Sequence, residues 1–138
     1  MKIFIDSSSL VKKYNFETGT DKLFHLLEKT TEVYVSHITY LETINTFNRR
    51  HAQKEISSTD LNEALTKLNH DFQYFSTISW DDTLKNLCIK LVNKYRLKTL
   101  DVIQIGSAVK ASSRLFVTSD KKQSQIAKKE FKEILLIL

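Results

Sequence analysis

Proline is absent from this chain, glycine occurs twice and cysteine once. With no proline and no glycine-, serine- or proline-rich stretch, the sequence offers neither a linker nor a disordered tail. Its 138 residues, 41% of them hydrophobic, suit one domain, residues 1–138, with a core of its own. A single cysteine excludes an internal disulfide, and Cys88 falls in the helical run Leu84, Leu87, Cys88, Leu91, where it reads as packing. Zinc spacings of cysteine and paired histidine are missing too. Long hydrophobic runs are the last absence. One lysine and three apolar residues precede Asp6, too few for the apolar part of a secretion signal, and no span reaches transmembrane length. A cytoplasmic protein without membrane contact is the expectation.

What is present is basic charge, unevenly placed. Residues 1–70 carry nine basic and nine acidic side chains, and residues 71–138 carry twelve and seven, so the whole net charge of +5 lies in the second half. Lys90, Lys94, Arg96, Lys98, Lys110, Arg114, Lys121, Lys122, Lys128 and Lys129 are candidates for a phosphate-binding surface, or else ordinary solvated helix faces.

Strand and helix patterns alternate along the chain. Residues 2–6, 33–35, 77–79, 115–118 and 134–137 are short, nearly all-apolar strand candidates. Between them lie helical stripes such as Leu23, Leu26 and Leu27, and the long set Leu61, Leu65, Leu68, Phe72 and Phe75 behind the start signal Ser57 to Asp60. This last helix is expected to pair with its predecessor as a hairpin. Short buried strands alternating with helices predict an α/β fold, a mostly parallel central sheet covered by helices on both faces.

In such a sheet the ligand site lies outside the carboxyl ends of the strands. Acids fall there: Asp6 ends the first strand, Asp120 follows the fourth, Asp101 begins a helix in TLDVIQIGSA, and Glu42 lies about a turn into the helix after the second strand. Asp6, Asp101 and Asp120 are each also explicable as helix caps. Glu42 is not, because in SHITYLETINTF it shares the stripe of Ile38, Leu41 and Asn45, which predicts a glutamate turned inward among apolar neighbours. No counter-ion presents itself, since Arg49 and Arg50 stand at the far end of that helix. A cation from solution answers better: four converging carboxylates repel one another, and hard oxygen ligands select Mg²⁺ or Mn²⁺. Such an ion beside a basic surface points to phosphodiester chemistry, with Ser7, Ser8 or Thr118 fixing the carboxylates from behind.

Taken in order, IFIDSSSL, YLETINTF, LKTLDVIQIGSA and LFVTSDKKQSQIA resemble the PIN-domain nucleases, and among them the VapC toxins of toxin–antitoxin pairs. Each piece alone is weak; the ordered set spans nearly the whole chain. The resemblance implies a three-layer α/β/α sandwich and Mg²⁺- or Mn²⁺-dependent endoribonuclease activity on RNA. It also implies frequent homodimers and a cognate antitoxin that occludes the acidic site. Asp6, Glu42, Asp101 and Asp120 match its acidic positions, and Thr118 matches the threonine of T-x-D. One departure is DVIQIGSA: family members often continue this motif as D-A with small residues along the helix, whereas Val102, Gln104 and Gly106 fill it here.

Other readings stay open at this point. A PIN-type nuclease of RNA processing needs no antitoxin, and a non-catalytic module would bind RNA or a partner through the basic surface alone. A metal-free ribonuclease would draw its acid and base from His25, His37, His51 and His70. A receiver-like phosphoacceptor also carries strand-end aspartates, but leaves Glu42 unexplained.

Overall fold

The computed structural model describes residues 1–137, and among them runs a five-stranded sheet in the order β3-β2-β1-β4-β5 in which every neighbouring pair is parallel. The strands are β1 (Lys2–Ile5), β2 (Glu32–Ser36), β3 (Ser76–Ile78), β4 (Leu115–Thr118) and β5 (Glu133–Leu136). The helices are α1 (Ser7–Leu10), continued by a 3-10 turn over Val11–Lys13, then α2 (Thr20–Leu27), α3 (Thr39–Ala52), α4 (Ser58–Phe72), α5 (Asp82–Lys94), α6 (Thr99–Ala111) and α7 (Lys121–Ala127).

Alternation along the central strand sorts the helices into layers. Ile3 and Ile5 face one side and pack with Leu10, Leu23, Phe47 and Leu68, so α1 to α4 cover that face. Phe4 points to the other and stacks on Phe116 at 5.7 Å, joined by Leu84, Val102, Ile105 and Ala127 of α5, α6 and α7. Period-two side chains on strands buried from both faces thus give the expected α/β/α sandwich. The α3–α4 hairpin is present as well, with Tyr40 packed edge-on against Phe72 at 5.1 Å. Helix α7 begins directly after Asp120, which caps it by accepting from the Gln123 amide.

Helices α5 and α6 meet where Gly106 lacks a side chain. A Cβ there would stand 2.8 Å from Cys88 Sγ and 3.3 Å from Leu84 Cδ1. Gly106→Ala gains about 1 kcal/mol of helix propensity but forces overpacking that costs about 1–3 kcal/mol. Net destabilisation in denaturant melts is the expected outcome, with part of the loss recovered when Cys88→Ala is added. A Gly106→Ala protein more stable than its parent would mean that the two helices separate at little cost.

Candidate active site

The chain reverses direction of growth at β1: β2 and β3 lie to one side of it, β4 and β5 to the other. A parallel sheet opens a crevice at such a switch point, beyond the carboxyl ends of the two strands concerned. Here these are β1 and β4; Asp6 follows the first, and Thr118 ends the second ahead of Ser119 and Asp120.

Asp6 is the most constrained group in the crevice. It caps α1 and is 1% exposed. Its Oδ1 accepts from Ser8 Oγ at 2.7 Å and from the Ser9 amide at 3.1 Å, and its Oδ2 accepts from Thr118 Oγ1 at 2.5 Å. Both hydroxyls are themselves held by backbone of the β4–α7 turn. The Asp120 amide donates to Thr118 Oγ1 at 3.1 Å, and the Ser119 amide donates to Ser8 Oγ at 3.0 Å. Burial nevertheless wins: it pushes the Asp6 carboxyl from its ordinary value of 3.8 up to about 6, against the lowering effect of Thr118, Ser8 and Ser9, with the Asp120 charge adding to the rise.

Glu42 reaches the same crevice from α3. Its Oε1 accepts from Ser7 Oγ at 2.6 Å and from Gln104 Nε2 at 2.8 Å. The Gln104 amide, 3% exposed on α6, also lies 3.0 Å from Ser7 Oγ and 3.0 Å from Thr39 Oγ1, so one carboxamide ties α1, α3 and α6 together. Asp101, half-buried at the start of α6, has its carboxyl raised by burial first and then by the charges of Asp120 and Glu42, while Lys98 and Lys122 pull the other way.

All four predicted acids, with Ser7 and Ser8, border one cavity of about 450 Å³. Thr118 stands behind it, at Asp6 Oδ2. The expected setting of Glu42 needs correction. Leu41 is 71% exposed and Asn45 is exposed, whereas Thr39, Thr43 and Phe47 form the buried stripe of α3. Glu42 therefore stands at the rim of the core facing the cavity, and its partners are neutral donors. Among the further residues that border this cavity, Gln104, Gln123, Arg49 and Arg50 went unassigned in the sequence. The only signal available for Arg49 was its spacing, seven residues beyond Glu42 on one helix face.

The histidines lie elsewhere. His25 is paired with Glu28, His37 packs on Trp80, His51 is 3.1 Å from Ser58 Oγ and His70 packs on Tyr74; none borders the cavity. Of the second-half cations, Lys94, Lys110 and Arg114 are held in ion pairs with Glu130, Asp81 and Glu133.

The donor chemistry fits a hard divalent cation: carboxylate oxygens from four elements around one water-accessible space, without sulfur or imidazole. Among the described residues no three of the acids are already arranged to hold an ion. They surround the cavity without closing on a point.

The PIN domain is the protein family whose profile matches, over residues 3–129. Three solved structures share the fold across nearly the full length of both chains. FitAcB from Neisseria gonorrhoeae superposes with a TM-score of 0.70 at 12% identity, covering 96% of each chain. VapBC2 from Rickettsia felis, bound to a DNA fragment from its promoter, gives 0.68 at 15%, covering 100% of each. The sarcin–ricin-loop-cleaving toxin VapC20 of Mycobacterium tuberculosis gives 0.65 at 16%, over 89% of this chain and 93% of that one. A search of the curated proteins finds no match.

Proposed function

The chain belongs to the PIN-domain family, and from that premise we propose that it is a Mg²⁺- or Mn²⁺-dependent endoribonuclease acting as the toxin of a toxin–antitoxin pair. The observation that carries this reading is the meeting of Asp6, Glu42, Asp101 and Asp120 around one cavity at the β1/β4 crevice. Those four side chains would hold the ion, which when bound supplies Lewis-acid polarisation of the phosphate and activation of water.

The rest of the machinery is the chain's own. Thr118 and Ser8 fix both oxygens of Asp6, each hydroxyl oriented by a backbone amide, so the carboxylate enters the reaction without searching rotamers. Ser7 and Gln104 do the same for Glu42 Oε1, leaving Oε2 to the cavity. Lys98 and Lys122 offset the negative field near Asp101, which eases the approach of a polyanion. An RNA substrate, a cognate antitoxin and a second copy of the chain are the partners in this reading. The antitoxin is supported by the kinship of fold with VapBC2, and no helix of the described residues is long and apolar enough to cross a membrane.

Purified protein is expected to cut RNA only with a divalent ion present and to leave 5′-phosphate ends, because no histidine borders the cavity to take a proton from a 2′-hydroxyl. End-group analysis with and without EDTA checks this. Cleavage that persists in EDTA and leaves 2′,3′-cyclic phosphates would overturn the proposal in favour of imidazole chemistry.

A further inference from the structure

One face of α3 continues the cavity away from the acids. Glu42, Asn45, Thr46 and Arg49, at i, i+3, i+4 and i+7, all border it. Asn45 and Arg49 are exposed. Arg49 and its neighbour Arg50 have different fates. Arg50 is turned back to Glu17 at 2.5 Å and Asn15 at 3.1 Å, where it clamps the segment after the 3-10 turn. Arg49 makes neither an ion pair nor a side-chain hydrogen bond among the described residues, although four carboxylates share its cavity. On another wall, Gln123 is 4% exposed and its carboxamide nitrogen has no hydrogen-bond partner. A buried donor without a partner is costly, and this one is near enough to the cavity to take an acceptor there.

An acidic site that takes a polyanion has a difficulty of its own. The ion answers the charge of the phosphate at the reaction centre, and Lys98 and Lys122 ease the field near Asp101, but adjoining phosphates along the α3 wall need a cation of their own. We infer that Arg49 is the residue that resolves this: it grips, through its planar fork, a backbone phosphate one or two positions from the scissile one, so that the substrate strand lies along the α3 face from Glu42 towards Arg49. Seven helical residues span about 10 Å, so the guanidinium stands too far from Glu42 to take the scissile phosphate and is placed for one further along the strand. Guanidinium recognition of phosphate is bidentate and sequence-independent, which sets the register of the strand without reading its bases. Gln123 supplies a neutral donor across the cavity. The inference rests on the nuclease reading. It moves a principal phosphate contact from the basic second half, where the charge count placed it, to the first.

The test is a binding measurement with Ca²⁺ in place of Mn²⁺, an ion that takes the same oxygen ligands and is expected to support binding without cutting, using a short fluorescent oligoribonucleotide. Adding Arg49→Gln is expected to weaken binding about ten- to a hundredfold and to make the salt dependence of affinity shallower by about 0.7 in log–log slope. Arg49→Lys should recover part of the affinity but not all. Replacing the probe's phosphates one at a time by neutral methylphosphonates should expose one position that costs the Arg49 protein affinity and costs the Arg49→Gln variant nothing, which a merely structural role cannot produce. Because Arg49 is exposed and has no side-chain partner among the described residues, its loss should leave the melting temperature unchanged. Equal affinities and slopes, or no such position, overturn this inference alone. If neither protein binds the probe, the nuclease reading falls with it.

Discussion

Asp6→Asn is expected to abolish cleavage while making the metal-free protein more stable above neutral pH. The two effects have one origin. Asp6 sits 1% exposed with its carboxyl raised from 3.8 to about 6, so at pH 8 the fold holds a buried charge that it would rather see protonated. A shift of that size corresponds to about 3 kcal/mol of destabilisation once the group is ionised in both states. The sign follows from proton counting. Between pH 4 and 6 the folded chain binds more protons at Asp6 than the unfolded chain does, so the contribution of this group is present below pH 4 and lost as pH rises through 6.

Asparagine keeps the α1 cap by leaving its oxygen on Ser8 and the Ser9 amide and removes the charge, although its amide nitrogen must then face Thr118, which returns some of the gain. Denaturant melts in EDTA should therefore find wild type and Asp6→Asn nearly equal at pH 4. At pH 8 the variant should lead by about 1–2 kcal/mol, several degrees in Tm for a chain of this size. An Asn variant that is less stable at pH 8, or a difference that does not change with pH, would show that the hydroxyl cradle more than offsets burial. Cleavage equal to wild type would remove Asp6 from the reaction.

The contrast between Asp6 and Glu42 also explains what a sequence can and cannot disclose here. Asp6 was legible because its signals are local: three apolar residues end in a carboxylate followed by hydroxyls, and the crevice rule puts a strand-end acid at the site. The layers were legible for the same reason, since strand alternation and helical stripes are short-range patterns. Glu42 was grouped with the other acids, whose cavity it borders, by a partly wrong argument. Apolar periodicity selected Leu41 for the interior, yet the inner face of α3 is built on Thr39, Thr43 and Phe47, with threonine methyls where the pattern sought leucine. Its hydrogen-bonding partner, Gln104, stands 62 residues away on α6, a pairing fixed only when two helices cross over the sheet. The separate fates of Arg49 and Arg50 are likewise tertiary. Adjacent helical residues point about 100° apart, and which of the two meets Glu17 depends on where the segment after α1 settles.

Glu42→Gln separates a ligand from a structural glutamate more sharply now that its partners are known. Both of its hydrogen bonds fall on Oε1, from Ser7 Oγ and Gln104 Nε2, and a glutamine Oε1 can accept both while its amide takes the place of Oε2 towards the cavity. The substitution therefore leaves the network formed and deletes one charge from a mutually repelling set. In EDTA the melting temperature should be unchanged or slightly higher. A glutamate retained for charge-assisted hydrogen bonding would instead lose about 1–3 kcal/mol. Mn²⁺ divides the cases further. At a hundredfold excess over its Kd, an ion stabilises the fold by about 2.7 kcal/mol, and a hundredfold weaker site would reduce that to below about 0.5 kcal/mol. Wild type should thus gain several degrees from Mn²⁺ and Glu42→Gln almost nothing, with cleavage down by about a hundredfold or more. Equal Mn²⁺ shifts in the two proteins, together with undiminished cleavage, would exclude Glu42 from the ligand set and leave Asp6, Asp101 and Asp120 to hold the ion alone.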